Sequence, residues 1–159
     1  MTDAGQVRDG KHRRSTGRFV GIVAVFVALG PLAGAVGVNG LFTAYVVGVE
    51  IANGKFGDIA RLFWGGIVVG TIVSAIVAYA FGIVSAAGVG LAVAFRDRRK
   101  GGISWRASFI AALAFWLLTS VAATSVVPPQ GLVQWIGALL AAHALAAAVC
   151  TWVARRIFG

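Results

Sequence analysis

Acidic side chains are scarce in this sequence. Asp and Glu together number five in 159 residues, and none falls between Phe19 and Val49, between Leu62 and Phe95, or between Ala107 and Ala154. That scarcity removes the paired carboxylates that acid–base chemistry commonly uses. Cys150 is the single cysteine, so no intrachain disulfide can form, and a small buried hydrophobe is its expected role. With two histidines and one cysteine there is no cluster at metal-ligand spacing, and no set of Ser, His and carboxylate. Gly30, Gly34 and Gly37, like Gly82, Gly88 and Gly90, follow no strand and lack an acidic partner about 20 residues later, so they make no dinucleotide fingerprint. An enzyme is therefore not expected, nor a bound cofactor or metal.

Lys and Arg are missing from the same three stretches. Charged residues make up 12% of the chain against about a quarter in ordinary soluble domains, so water cannot be its main solvent. A hydrocarbon core of about 30 Å needs roughly 20 apolar residues in a helix. The first two stretches each suit one span, and the third suits two. Val127-Pro128-Pro129-Gln130-Gly131 divides the third, because consecutive prolines withdraw backbone donors and disfavour helix in the residue before them. The expected fold is all-α, a four-transmembrane-helix bundle over residues 18–159, with spans near 19–47, 59–95, 103–127 and 131–156. Residues 1–17, mixing Gly, Asp, Arg, Ser and Thr without hydrophobic periodicity, read as a disordered basic cytoplasmic tail.

Orientation follows from the cations. All of the fourteen Lys and Arg except Lys55 and Arg61 lie in the N-terminal tail, the loop carrying Arg96, Arg98, Arg99, Lys100 and Arg106, or the C-terminal Arg155 and Arg156. Cationic loops are retained in the cytoplasm, which places both termini inside. The net charge of +9 is accounted for by topology and by anionic lipid headgroups, and without a recognition fold nucleic acid is not an expected partner. Ala33-Gly34-Ala35 has the small-residue form of a signal-peptidase site, but the apolar stretch runs on to Val49, longer than a signal core.

Helix 1 is expected to bend or break at Pro31 and at Gly37-Val38-Asn39-Gly40. Residues 41–56 either extend it or lie at the outer surface, with Asn53-Gly54 marking the turn. Helix 2 begins near Asp58, a capping residue. Its uncharged part alone would span about 50 Å, so it is over-long, with Gly82, Gly88 and Gly90 as places to bend. Along it a small residue recurs at every fourth position: Gly66, Gly70, Ser74, Ala78, Gly82, Ala86, Gly90 and Ala94. Such a row lets another backbone approach closely, within the bundle or in a second copy. A weaker row on helix 4 runs Ala138, Ala142, Ala146, Cys150, Ala154.

His143 is the one ionisable group deep in a span, and by default a functional candidate. If helices 3 and 4 form a hairpin, Thr119, Ser120 or Thr124 lies at its depth and would hydrogen-bond a neutral ring; haem ligation and proton relay are the sharper alternatives. Tyr79 and Trp116 also sit deep, where each would pack and reach a polar neighbour.

Leu29-Gly30-Pro31-Leu32-Ala33-Gly34, with Ala78-Tyr79-Ala80-Phe81-Gly82-Ile83-Val84-Ser85-Ala86 and the cationic loop that follows, resembles a family of small inner-membrane proteins of alphaproteobacteria. The resemblance implies a bacterial inner membrane and a four-helix layout, and adds no site. The expected role is a non-enzymatic packing, assembly or accessory subunit, associating with itself or with a larger membrane complex. A small transporter or channel is the alternative, with a haem-binding subunit using His143 behind it.

Overall fold

The computed structural model describes residues 4–125 and 127–159, with side chains from Thr16 onward. Helix α1 runs Ala4–Ala52. A short turn leads to α2 (Ile59–Gly65), a π-helical turn (Gly66–Gly70) and α3 (Thr71–Lys100). Helix α4 (Trp105–Ala123) is followed by a 3-10 turn (Pro129–Gly131) and α5 (Leu132–Phe158). Among the described residues there is no strand, and four helical segments are long and apolar enough to cross a membrane: Thr16–Ala52, Ile59–Lys100, Trp105–Ala123 and Pro129–Phe158.

Three details differ from the expected layout. The backbone is helical from Ala4, where a disordered tail was expected over 1–17, since extending an existing helix costs far less than nucleating one; the side chains of residues 4–15 lie outside those described. Helix α1 continues through Gly37-Val38-Asn39-Gly40 and on to Ala52, so the segment from Leu41 extends the helix instead of breaking away. In the second span the departure from α-helical hydrogen bonding falls at Gly66–Gly70, while α3 stays α-helical through Gly82, Gly88 and Gly90.

The turns follow from their residues. Gly54 has φ +72, the left-handed conformation that only glycine adopts without strain, and closes the α1–α2 turn beside Asn53. Asp58 stands at the N-cap of α2 but makes no capping bond; its carboxylate instead pairs with Arg61 at 3.2 Å. Gly101 and Gly102 are left-handed too and turn the chain between α3 and α4. Pro128 and Pro129 divide α4 from α5 as the sequence implies.

Helix α1 packs on both α3 and α5, and α4 packs on α5 and α3. Successive spans are thus neighbours and the last closes on the first, the up-and-down arrangement of a four-helix bundle. The apolar core gathers Ile22 and Phe26 of α1, Val89, Val93 and Ala94 of α3, Ile103, Ala112 of α4, and Ala147, Cys150 and Ala154 of α5. It lies toward the end that carries Arg18, the α3–α4 turn and Arg155, called the basic end below. The opposite end is the distal end.

Candidate functional site

Side chains inside the spans could carry function only through their polar groups, so the question is where each is directed. His143, on α5, is half-buried. Its Nδ1 lies 2.8 Å from the Leu139 carbonyl oxygen one turn back. A carbonyl can only accept, so Nδ1 carries the proton, and in the neutral ring Nε2 offers its lone pair to the Ser85 hydroxyl 3.0 Å away on α3. None of the expected partners on helix 3 reaches the ring. Thr119 donates to its own helix at Phe115 and Trp116, Thr124 donates to Val121, and the buried Ser120 hydroxyl has no partner. Both ring nitrogens are committed, so an iron or a proton carrier at Nε2 would first have to displace Ser85.

The small-residue row of the second span faces α1. A Cβ placed on Gly66 would stand 2.6 Å from Thr43 Oγ1, and one on Gly70 2.5 Å from Asn39 Oδ1. Ser74 and Ala78 are half-buried along the same flank. Gly82 has ordinary room, its Cβ position 3.9 Å from Pro31, and Ala86 lies 3.2 Å from where a Gly30 Cβ would sit. At Gly90 a Cβ would meet Phe26 Cβ at 2.9 Å and the Val23 Cα at 3.3 Å, and Ala94 is buried. Self-association through this row would have to displace α1. The α5 row turns to α1 as well: Ala142 Cβ would lie 3.4 Å from a Gly34 Cβ, Cys150 is buried with its thiol directed at the Val25 carbonyl at 3.9 Å, and Ala154 is buried.

Polar side chains also join α1 to the second span. The Tyr79 hydroxyl of α3 donates to the Ala28 carbonyl, in the turn that precedes Pro31. The converse holds at the π-helical turn, where Asn39 Nδ2 donates to the Gly66 carbonyl at 2.7 Å and lies 3.0 Å from Thr71 Oγ1. Asn39 and Thr43 are buried, and Thr43 Oγ1 has no partner. Trp116 Nε1 donates across the hairpin to the Ile136 carbonyl at 3.0 Å, and Ser108 and Thr151 join α4 to α5 through hydroxyls 2.6 Å apart.

At the basic end Asp97 of α3 ties α1 to the α3–α4 turn. Arg18 of α1 donates from Nε to Oδ2 at 2.7 Å and from Nη2 to Oδ1 at 3.0 Å, the two-pronged geometry that suits guanidinium and carboxylate. The Gly102 N–H donates to Oδ1 at 2.9 Å. Sequence reasoning missed Asp97, because an acid among Arg96, Arg98, Arg99 and Lys100 reads as a diluted cationic run; its place four residues before the Gly101-Gly102 turn was the available signal.

Two shallow concavities also open at the basic end. One, of about 450 Å³, is lined by Phe95, Arg96, Arg99 and Lys100, and the other, of about 340 Å³, by Trp105, Trp152, Arg155 and Arg156. His143 lines neither. Among the described residues no group of three or more His, Cys, Asp or Glu could hold a metal.

A closed ring of apolar helices, with polar side chains spent on pairing one helix to the next, defines a helical multi-pass membrane protein. Comparison does not narrow that class: no family model, curated protein or solved structure matches the chain.

Proposed function

We propose that this chain is a non-enzymatic assembly or accessory subunit of a bacterial inner membrane, with both termini cytoplasmic. The observation that carries the reading is the contrast between its inside and its outside. Inside the bundle the polar groups of His143, Ser85, Ser108, Thr151 and Cys150 are turned toward neighbours in the same chain. The most apolar stretch of Ile59–Lys100, with mean hydropathy 2.4, has none of its residues buried. What the protein has to offer is therefore a long helical flank, on which Val69, Ile76 and Val84 are exposed. The cation count supports the orientation, since the basic end gathers the arginines that favour cytoplasmic retention.

Photo-crosslinking residues at Val69, Ile76 and Val84, set against Leu118 and Val121 on the outer face of α4, test the reading in native membranes. The expected result is a discrete adduct, to a second copy or one other protein, from one face only. Uniform lipid adducts from both faces would remove it. Proton flux through liposomes containing the purified protein, abolished by His143→Ala, would establish the transport alternative instead. Reporters fused at residue 1, near Gly101 and after Gly159 are expected to read cytoplasmic, and one at Pro129 external.

A further inference from the structure

The groove between α4 and α5 at the basic end differs from the other cationic surfaces of the protein. Its lining comes from two helices: Trp105 opens α4, and Trp152, Arg155 and Arg156 close α5. The Arg156 guanidinium lies 5.6 Å from the Trp152 ring centre, a cation–π contact that fixes one cation in place. Trp105 stacks on Phe109, with ring centres 6.1 Å apart and planes 20° off parallel, so the opposite wall is also held. Helix α4 begins at Trp105 without a side-chain cap from Ser104, and the first N–H groups of a helix carry a partial positive charge. Among the described residues the ion pairs are Arg18–Asp97 and Arg61–Asp58, so no described carboxylate neutralises Arg155 or Arg156. The neighbouring groove beside Phe95 has three cations of a single helix end and no helix N-terminus.

From this convergence we infer that the α4–α5 groove is a binding site for the phosphodiester headgroup of an anionic phospholipid. Arg155 and Arg156 take the phosphate oxygens, forming charge-assisted hydrogen bonds. The two tryptophans flank the glycerol region at the depth where amphipathic rings collect. The volume of about 340 Å³ is at the small end of ligand sites, which suits a headgroup with its tails left in the bilayer. Placing the groove in an anionic leaflet rests on the cytoplasmic orientation proposed above, but binding by the purified chain does not, so the two can fail separately.

The full chain, purified in mild detergent, is examined by native mass spectrometry with added phosphatidylglycerol, phosphatidylcholine or glycerol phosphate. One phosphatidylglycerol is expected to be retained per chain, in preference to phosphatidylcholine. The Arg155→Gln/Arg156→Gln pair is expected to lower that retention by about tenfold, whereas Arg96→Gln/Arg99→Gln, which removes the same charge, leaves it within about twofold. Equal loss from both pairs would show general attraction to a positive surface and overturn the site. Equal retention of the two lipids would overturn it as well, and displacement by soluble glycerol phosphate at matched concentration would reassign it to a free phosphate. A melting curve for each double variant separates lost binding from lost fold. Should the arginine pair unfold, Trp152→Leu serves in its place, with retention expected to fall while the chain stays folded.

Discussion

Toward the basic end, Ile22, Phe26, Val93, Cys150 and Ala154 are buried to within 2% exposure, and beside the Ser108–Thr151 and Arg18–Asp97 pairs the helices touch mainly through apolar atoms and glycine. In the distal half the buried side chains of α1 and α4 are mainly polar: Asn39, Thr43 and Ser120. The difference shows two ways of holding helices together where lipid tails are as apolar as leucine. Removing a side chain from lipid gains nothing by the hydrophobic effect, so the first half depends on many weak contacts that close approach makes possible. The second depends on a few directed bonds between α1 and the π-helical turn.

The comparison is broken most severely at Gly90. Leucine there would drive its Cβ into the backbone of Val23 and the side chain of Phe26, costing about 3 kcal/mol and giving the largest fall in melting temperature in detergent. Gly82→Ala, in the same row but at ordinary contact distance from Pro31, is the matched control and should change little. Asp97→Asn comes next. Asparagine still accepts from Gly102 but gives up the ion pair with the part-exposed Arg18, a loss of about 1–2 kcal/mol. A double-mutant cycle with Arg18→Gln should recover most of that as coupling.

Asn39→Leu sharpens the comparison from the other side. It removes the donor to the Gly66 carbonyl, and cross-helix hydrogen bonds in membranes are worth about 0.6 kcal/mol on average and about 1.7 at most. Faster hydrogen exchange confined to residues 66–71 is expected, with the basic-end core unchanged. A spread of that effect to Val89 or Val93 would mean the halves are one cooperative unit. Ser85→Ala should be mildest, about 0.5 kcal/mol, since the His143 Nε2 it frees has lost an acceptor's partner and no buried N–H. Thermal denaturation followed by tryptophan fluorescence checks it.

The sequence made the spans legible because membrane crossing is a matter of length and charge. Uncharged stretches ending at Arg18, Arg96 and Arg155 place the helices, and Pro128-Pro129 places the hairpin. The small residues at every fourth place show where another backbone can come close, and α1 does so at Gly66, Gly70 and Gly90, but the row itself does not say which partner that is. The azimuth of each helix about the bundle stayed hidden. For His143 the hairpin neighbours suggest Thr119, Ser120 or Thr124, whereas its partner is Ser85 on another helix. The π-helical turn was equally illegible, because glycines at 82, 88 and 90 look as able to disturb a helix as those at 66 and 70. What distinguishes the latter is Asn39, remote in sequence, waiting across the interface with a donor.

The closing of α5 on α1 also sets an order of events in the life of the chain. Phe26 enters the membrane early, while Cys150 and Ala154, which complete the core around it, follow more than 120 positions later. At synthesis rates of about 5–20 residues per second the interval is on the order of ten seconds. During it the inner flank of α1 faces lipid or the insertion machinery, and α3 can reach it well before α5. The pair α1–α3, pinned by Arg18 and Asp97 across 79 residues, is thus the nascent half-structure, and α5 arrives later as a keystone. A ribosome stalled before residue 132 would hold a two-sided wedge whose open face is the one later filled by Ala142, Ala147 and Cys150.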